Sequence, residues 1–267
     1  MVKSIVVGAA GRMGGRVINA ICEADGIELI GAVECKNHPG TGKDIGEIAG
    51  LGKLNVELKD DLGTLIDLAD VVIDFTNHSA SLTHLRTASQ NHKPIVIGST
   101  GFSAEEMDEV KRLSTVTKCV LSPNMSVGVN LIFKVIRDVS RVLGDDYDIE
   151  IVEAHHRFKK DSPSGTAIRM AQIIAQSLKR DLDEVGIYGR KGMIGERTQK
   201  EIGIQAVRAG DIVGDHTVIF GGLGERLEIT HRAHSRDNFA RGAVRAAKWV
   251  VNQENGLYDM QDVLGLR

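Results

Sequence analysis

The sequence predicts an α/β fold in two lobes, one built on a doubly wound parallel sheet and the other an α+β unit on an open mixed sheet. Three observations carry this reading. The short apolar strand Ser4–Val7 runs directly into a glycine turn and then a helix, the arrangement of a βαβ unit. Three further apolar stretches, Ala69 to Phe75, Pro94 to Ile97 and Lys118 to Leu121, each end in small polar residues. Between Tyr147 and Thr230 the pattern changes to alternating strands separated by Gly and Asp turns, which suits an antiparallel or mixed sheet.

Taken in order, the first turn reads Gly8-Ala9-Ala10-Gly11-Arg12-Met13-Gly14-Gly15, and Val17, Ile18, Ile21 and Cys22 follow at helical spacing. Its glycines fall as G-x-x-G-x-x-G, because Ala9 stands where the commoner G-x-G-x-x-G pattern has its first glycine. The second strand, Glu28 to Val33, delivers Glu34 about 20 residues past the last glycines, where an acidic side chain holds the ribose hydroxyls of a dinucleotide. Together these features mark a Rossmann-like dinucleotide-binding domain. A glycine turn alone also serves tight turns without a ligand; here its position, its frame and Glu34 agree. In such a sheet, ligands lie beyond the carboxyl ends of the strands. The loops Thr76-Asn77-His78, Gly98-Ser99-Thr100-Gly101 and Ser122-Pro123-Asn124-Met125 are therefore expected to line the same nucleotide cleft.

The second lobe contains the most distinctive segment. Glu153-Ala154-His155-His156-Arg157-Phe158-Lys159-Lys160-Asp161-Ser162-Pro163-Ser164-Gly165-Thr166-Ala167 follows the strand Ile149 to Ala154. A helix follows, with Ala167, Ala171, Ile174, Ala175 and Leu178 on one face. Ser164, Gly165 and Thr166 thus fall where backbone N–H groups lack partners within the helix, and such ends bind carboxylate or phosphate oxygens. Two imidazoles beside a lysine supply proton transfer as well as anion binding. A charge run is more often a solvated turn, and it is the combination that favours a site. His155 and His156 are adjacent, with no third Cys or His at ligand spacing, so no metal is expected.

Composition excludes other classes. A chain of 267 residues, 42% hydrophobic, buries a sizeable core in two lobes, and its 30 Gly and 4 Pro form no linker. A net charge of −3 leaves no broad basic footprint, so neither nucleic acid nor an anionic membrane is expected as a partner. Cys22, Cys35 and Cys119 are odd in number and form no CxxC arrangement, which suits a reducing cytoplasm. No signal peptide or membrane span is expected. Phe239, Ala243, Ala246, Ala247 and Val250 form a last helix that can return to the first lobe. We expect a dinucleotide-binding domain from residues 1–126 and 239–267, and a substrate-binding and oligomerisation domain from 127–238.

Over nearly its whole length the chain resembles the 4-hydroxy-tetrahydrodipicolinate (dihydrodipicolinate) reductase family. The motifs that carry the resemblance are Gly8 to Gly14, Gly98 to Gly101, Asn124 to Asn130, Glu153 to Ala167 and Gly224 to His231. The resemblance implies a cytoplasmic homotetramer that reduces a small dicarboxylate imine with NADH or NADPH, in the diaminopimelate and lysine pathway. It further implies His155 as a proton donor or acceptor, Lys159 as a second catalytic proton donor, and His156, Gly165 and Thr166 as substrate contacts. Lys159 could equally fix a carboxylate, and the sequence does not separate the two roles. Where many relatives place an arginine after the ribose-binding acid, this chain has Cys35, so NADH is expected to be preferred, with Lys36 and Arg12 as the cations able to compensate. Two rival readings are another two-domain nicotinamide dehydrogenase, which has no need of the His155 loop, and a non-catalytic nucleotide sensor, against which His155 and Lys159 argue.

Overall fold

A computed structural model describes residues 1–267. The strands are β1 (Val2–Val7), β2 (Ile27–Val33), β3 (Leu58–Lys59), β4 (Val71–Asp74), β5 (Ile95–Ile97), β6 (Lys118–Leu121), β7 (Asp148–His155), β8 (Gly186–Ile187), β9 (Ile202–Arg208), β10 (Gly214–Gly221), β11 (Arg226–Ala233) and β12 (Gly256–Tyr258). The longer helices are α1 (Gly14–Cys22), α2 (His78–Gln90), α3 (Ala104–Leu113), α4 (Val127–Leu143), α5 (Gly165–Ser177) and α6 (Asp237–Val250). The chain divides into two compact units, Met1–Val127 with Arg236–Arg267, and Gly128–Ser235.

In the first unit seven strands run in the order β12-β6-β5-β4-β1-β2-β3, every adjacent pair parallel. Strands buried on both faces read as continuous apolar runs, as Val71-Val72-Ile73 does. Chain order reverses on either side of β1, the crevice where doubly wound sheets bind ligands. Register brings Val33, Val7, Asp74, Ile97 and Leu121 into line, so five strands end together and five loops open at one edge. Helix α6 packs against α1 in this unit, its Ala243, Ala246 and Ala247 fully buried. Gly242 is required there, because a Cβ would lie 1.8 Å from the Met125 carbonyl oxygen.

The second unit holds a mixed sheet in the order β11-β10-β7-β9-β8. β10 is antiparallel to both its neighbours, whereas β7, β9 and β8 are mutually parallel. Ile149, Ile151, Val218 and Phe220 form one face and pack with residues of α4 and α5, including Ile136, Met170 and Ile174. Strand alternation continues this buried face along β7 to Glu153 and His155, both largely shielded from solvent. The long helix α4 and the short edge strand β12 are not evident in the sequence pattern. β12 has only three residues and is held by pairing with β6, a non-local effect.

Candidate active site

At the aligned strand ends of the first unit, the glycine turn is shaped by contacts that only glycine permits. Gly8 has φ +68°, and a Cβ there would meet Thr76 Cγ2 at 2.7 Å. A Cβ on Gly14, the first residue of α1, would fall 2.1 Å from the Gly8 carbonyl oxygen and 2.6 Å from that of Ala9. Met13 precedes α1 without a side-chain cap, and although the Gly15 N–H is taken by the Gly11 carbonyl at 3.1 Å, the positive dipole end of α1 lies beside the exposed Arg12. Glu34 accepts the Ala10 N–H on Oε2 at 3.1 Å and the Cys35 N–H on Oε1 at 3.0 Å, clamping the turn to the end of β2. It shares a cavity with Gly8, Lys36, Thr76, His84 and Thr87. A turn in which Gly8 and Gly14 admit no Cβ, ending at a helix start without a side-chain cap and an acidic strand end, fits a dinucleotide.

The other predicted nucleotide residues divide by side-chain direction. Ala9 and Met125 are fully buried in the apolar core, and Met13 packs against it. The Ser99 hydroxyl is buried against Ser81, and the Ser122 hydroxyl donates to the Asn124 carbonyl at 3.0 Å. Gly98 lies so close to Phe75 that a Cβ would come within 2.3 Å of its ring. The side chains of Ala9, Met125, Ser99 and Ser122 thus point into the protein, and what these residues offer a ligand is backbone. Arg12, Thr100 and Pro123 are exposed, and Asn124 is half-buried.

In the second unit, strand register assembles a charged cluster at the carboxyl end of β7. His155 pairs with Arg208 of β9, and Glu153 with His216 of β10. Glu153 is fully buried. Its Oε2 lies 2.6 Å from His155 Nδ1 and accepts from Arg208 at 2.9 Å, while its Oε1 accepts from Arg208 at 2.9 Å and from the Ser164 N–H at 3.0 Å. Burial pushes the Glu153 carboxyl up, but Arg208, His155 and the Ser164 N–H outweigh it and hold it below the usual carboxylate range. Burial lowers His155, and Glu153 opposes that shift only in part. His216 is pushed down to about 4 by burial and by His155. Its Nε2 lies 3.1 Å from the Ser164 hydroxyl, and its ring meets His155 edge to face at 5.1 Å.

Lys159 Nζ contacts Asp161 Oδ1 at 2.9 Å, which holds the Asp161 carboxyl below its ordinary value. His156 is half-buried with its Nδ1 unpartnered. Ser164 caps α5 by accepting the Ala167 N–H at 3.2 Å. One expectation is thereby corrected: the Ser164 N–H is not open, because Glu153 takes it. At Gly165 a Cβ would meet nothing within 4 Å, so glycine there leaves approach room rather than relieving a clash within the chain. Gly165→Val is accordingly expected to raise the substrate KM strongly while the melting temperature and the NADH dissociation constant stay near wild type. Folding damage equal to the binding loss would give Gly165 a structural role.

The structure brings together His155, His156, Lys159 and the start of α5 in one unit, and Gly8 to Met13, Glu34 and the Gly98 and Ser122 loops in the other. Sequence reasoning assigned no role to Glu153, although that residue opens the cationic run, and did not find Arg208 or His216. For Glu153 a signal existed: counting by two from Ile149 and Ile151 puts a carboxylate on the buried face, two residues before His155.

Comparison with known proteins gives a consistent result. Residues 2–125 match the family profile "Dihydrodipicolinate reductase, N-terminus" and residues 128–264 the profile "Dihydrodipicolinate reductase, C-terminus". The chain is 63% identical to a 4-hydroxy-tetrahydrodipicolinate reductase of Syntrophus aciditrophicus (strain SB) and 58% identical to one of Geotalea uraniireducens (strain Rf4), each over 100% of both chains. Among solved structures it is similar in fold to a dipicolinate-bound dihydrodipicolinate reductase from Paenisporosarcina sp. TG-14, with a TM-score of 0.77, 24% identity and 98% of each chain covered. The chain belongs to the dihydrodipicolinate reductase family.

Proposed function

We propose that the chain reduces 4-hydroxy-tetrahydrodipicolinate to tetrahydrodipicolinate in the diaminopimelate and lysine pathway, using a nicotinamide nucleotide. The observation that carries this reading is the buried Glu153–His155 pair beside Lys159 at the start of α5, in a chain matched to the family along its length. The glycine turn, the start of α1 and Glu34 would hold the nucleotide, which would supply hydride when bound. Departure of the 4-hydroxyl as water leaves a conjugated cyclic imine, and hydride arriving at its ring carbon leaves electron density on the conjugated system, which has to take up a proton. Lys159 donates that proton from an ammonium that also offsets the developing charge. His155 exchanges protons at its Nε2 edge, with Glu153 stabilising the cationic form. His156 and the backbone of Gly165 and Thr166 receive a substrate carboxylate, and the helix dipole favours the anion.

The test is to couple the protein to a synthase that makes the substrate from pyruvate and aspartate semialdehyde, following NADH and NADPH absorbance separately. Oxidation of neither nucleotide would overturn the assignment. A residue-level test is cofactor choice. The Glu34 carboxylate faces a 2′-phosphate with cysteine rather than arginine beside it, so kcat/KM is expected to favour NADH by about tenfold, which corresponds to about 1.4 kcal/mol. Cys35→Arg narrows the gap. A wild-type preference for NADPH would instead give the phosphate to Lys36, which lines the same cavity, or to Arg12.

The division of labour between a nucleotide-binding and a substrate-binding domain, the cytoplasmic setting and the homotetramer belong to the same reading. Its supports are three free cysteines and a sheet face that leaves Val207 44% exposed, with Val152 and Ile219 half-buried. No helix is long and apolar enough to cross a membrane. Light scattering that returns the mass of one subunit would overturn the tetramer.

A further inference from the structure

We propose that Glu153 is a positioning residue that fixes the tautomer and direction of the His155 ring, and that the missing side chain of Gly214 provides the space in which that ring sits. The proposal rests on the reductase reading for its link to turnover, but its geometry stands by itself. An ionised carboxylate only accepts hydrogen bonds. Glu153 Oε2 lies 2.6 Å from His155 Nδ1, so Nδ1 carries the ring proton and Nε2 is left bare to take one up.

Glu153 cannot turn away to serve another tautomer. Arg208 grips both of its oxygens at 2.9 Å, and the Ser164 N–H holds Oε1. Arg208 is itself anchored on the Asp161 carbonyl at 2.6 Å. The far edge of the ring is bounded by backbone: a Cβ built on Gly214 would lie 3.0 Å from His155 Nε2 and 3.4 Å from Cδ2. The charged and titratable groups facing His155 are Glu153 on its own strand, Lys159 on the following loop, Arg208 on β9 and His216 on β10. Glu153 is the only anion among them. It accordingly opposes burial, Lys159 and Arg208, all of which disfavour a second proton on the ring. When Nε2 takes up a proton, the imidazolium is stabilised by a carboxylate that stays ionised, so the proton remains on His155.

Two variants and one spectroscopic measurement test this. Glu153→Gln keeps the shape but can turn an amide N–H toward Nδ1, which forces the proton to Nε2. It is expected to lower kcat by about 10²-fold with little change in the substrate KM or the NADH dissociation constant, and to move the acid limb of the kcat profile to lower pH because the only anion beside the ring is gone. Nitrogen-15 NMR of the histidine rings is expected to report Nδ1–H for His155 in the wild type and Nε2–H in Glu153→Gln. Gly214→Ala changes no charge, yet is expected to lower kcat by pushing on the Nε2 edge while His155 keeps its Nδ1–H tautomer. Nε2–H in the wild-type protein would overturn the proposal even if Glu153→Gln fails to fold. So would a Glu153→Gln protein that keeps wild-type kcat and acid limb and loses only thermal stability. Wild-type protein that shows Nδ1–H on His155 but oxidises neither nucleotide would refute the reductase reading and leave the positioning geometry standing.

Discussion

Lys159→Ala is expected to lose turnover by about 10²-fold or more, the range that general acid catalysis contributes, while binding NADH as the wild type does. The two effects separate because Lys159 and the glycine turn lie in different units of the chain. Lys159 holds its ammonium beside Asp161 with its side chain only 20% exposed, so the group is placed rather than freely solvated. In the proposed mechanism, removing it takes away both the proton donor and one cation near the substrate carboxylates. Single-turnover measurement with saturating substrate distinguishes these contributions: lost proton donation lowers the rate at saturation, whereas lost carboxylate binding is recovered by more substrate. A variant with near-normal turnover would remove Lys159 from the mechanism.

Gly14→Ala is expected to weaken NADH binding by about 10²-fold, equivalent to about 2.8 kcal/mol. The added Cβ would meet the Gly8 and Ala9 carbonyl oxygens and the Ala9 Cα, all backbone atoms that cannot swing aside. The turn has to open, which withdraws the Ala10 N–H from Glu34 and tilts the start of α1. Gly15→Ala is the control, since the nearest atom to its Cβ would be that of Ala49 at 3.8 Å. Fluorescence titration with NADH checks both variants, and an unchanged dissociation constant in Gly14→Ala would exclude this turn as the nucleotide cradle.

Much of the first unit was legible because its signals are local. The apolar runs of β1, β2 and β6, the glycines demanded by a close turn and the helical spacing of α1 and α6 all lie within short stretches of chain. The order of those elements then limits the sheet to a parallel one with its loops at a single edge. The same holds for the strand, cationic loop and helix around His155. The readings of Ala9, Ser99, Ser122 and Met125 were coarser: position in a motif told which loop they occupy, but not that their side chains pack inward.

Residue types, local conformation and the family-specific run Glu153 to Ala167 were determined by the sequence alone. Which groups surround His155 was decided only by the tertiary structure. Arg208 is 55 positions from Glu153, and His216 is 52 from Ser164. Both arrive through strand pairing, and a shift of one residue in the register of β9 or β10 would turn them to the opposite face of the sheet. No spacing rule encodes that register. It is set by the burial of Ile149, Ile151, Val218 and Phe220 under α4 and α5, and the same buried face gives Glu153 the low-dielectric surroundings in which one carboxylate can hold an arginine and a histidine in place.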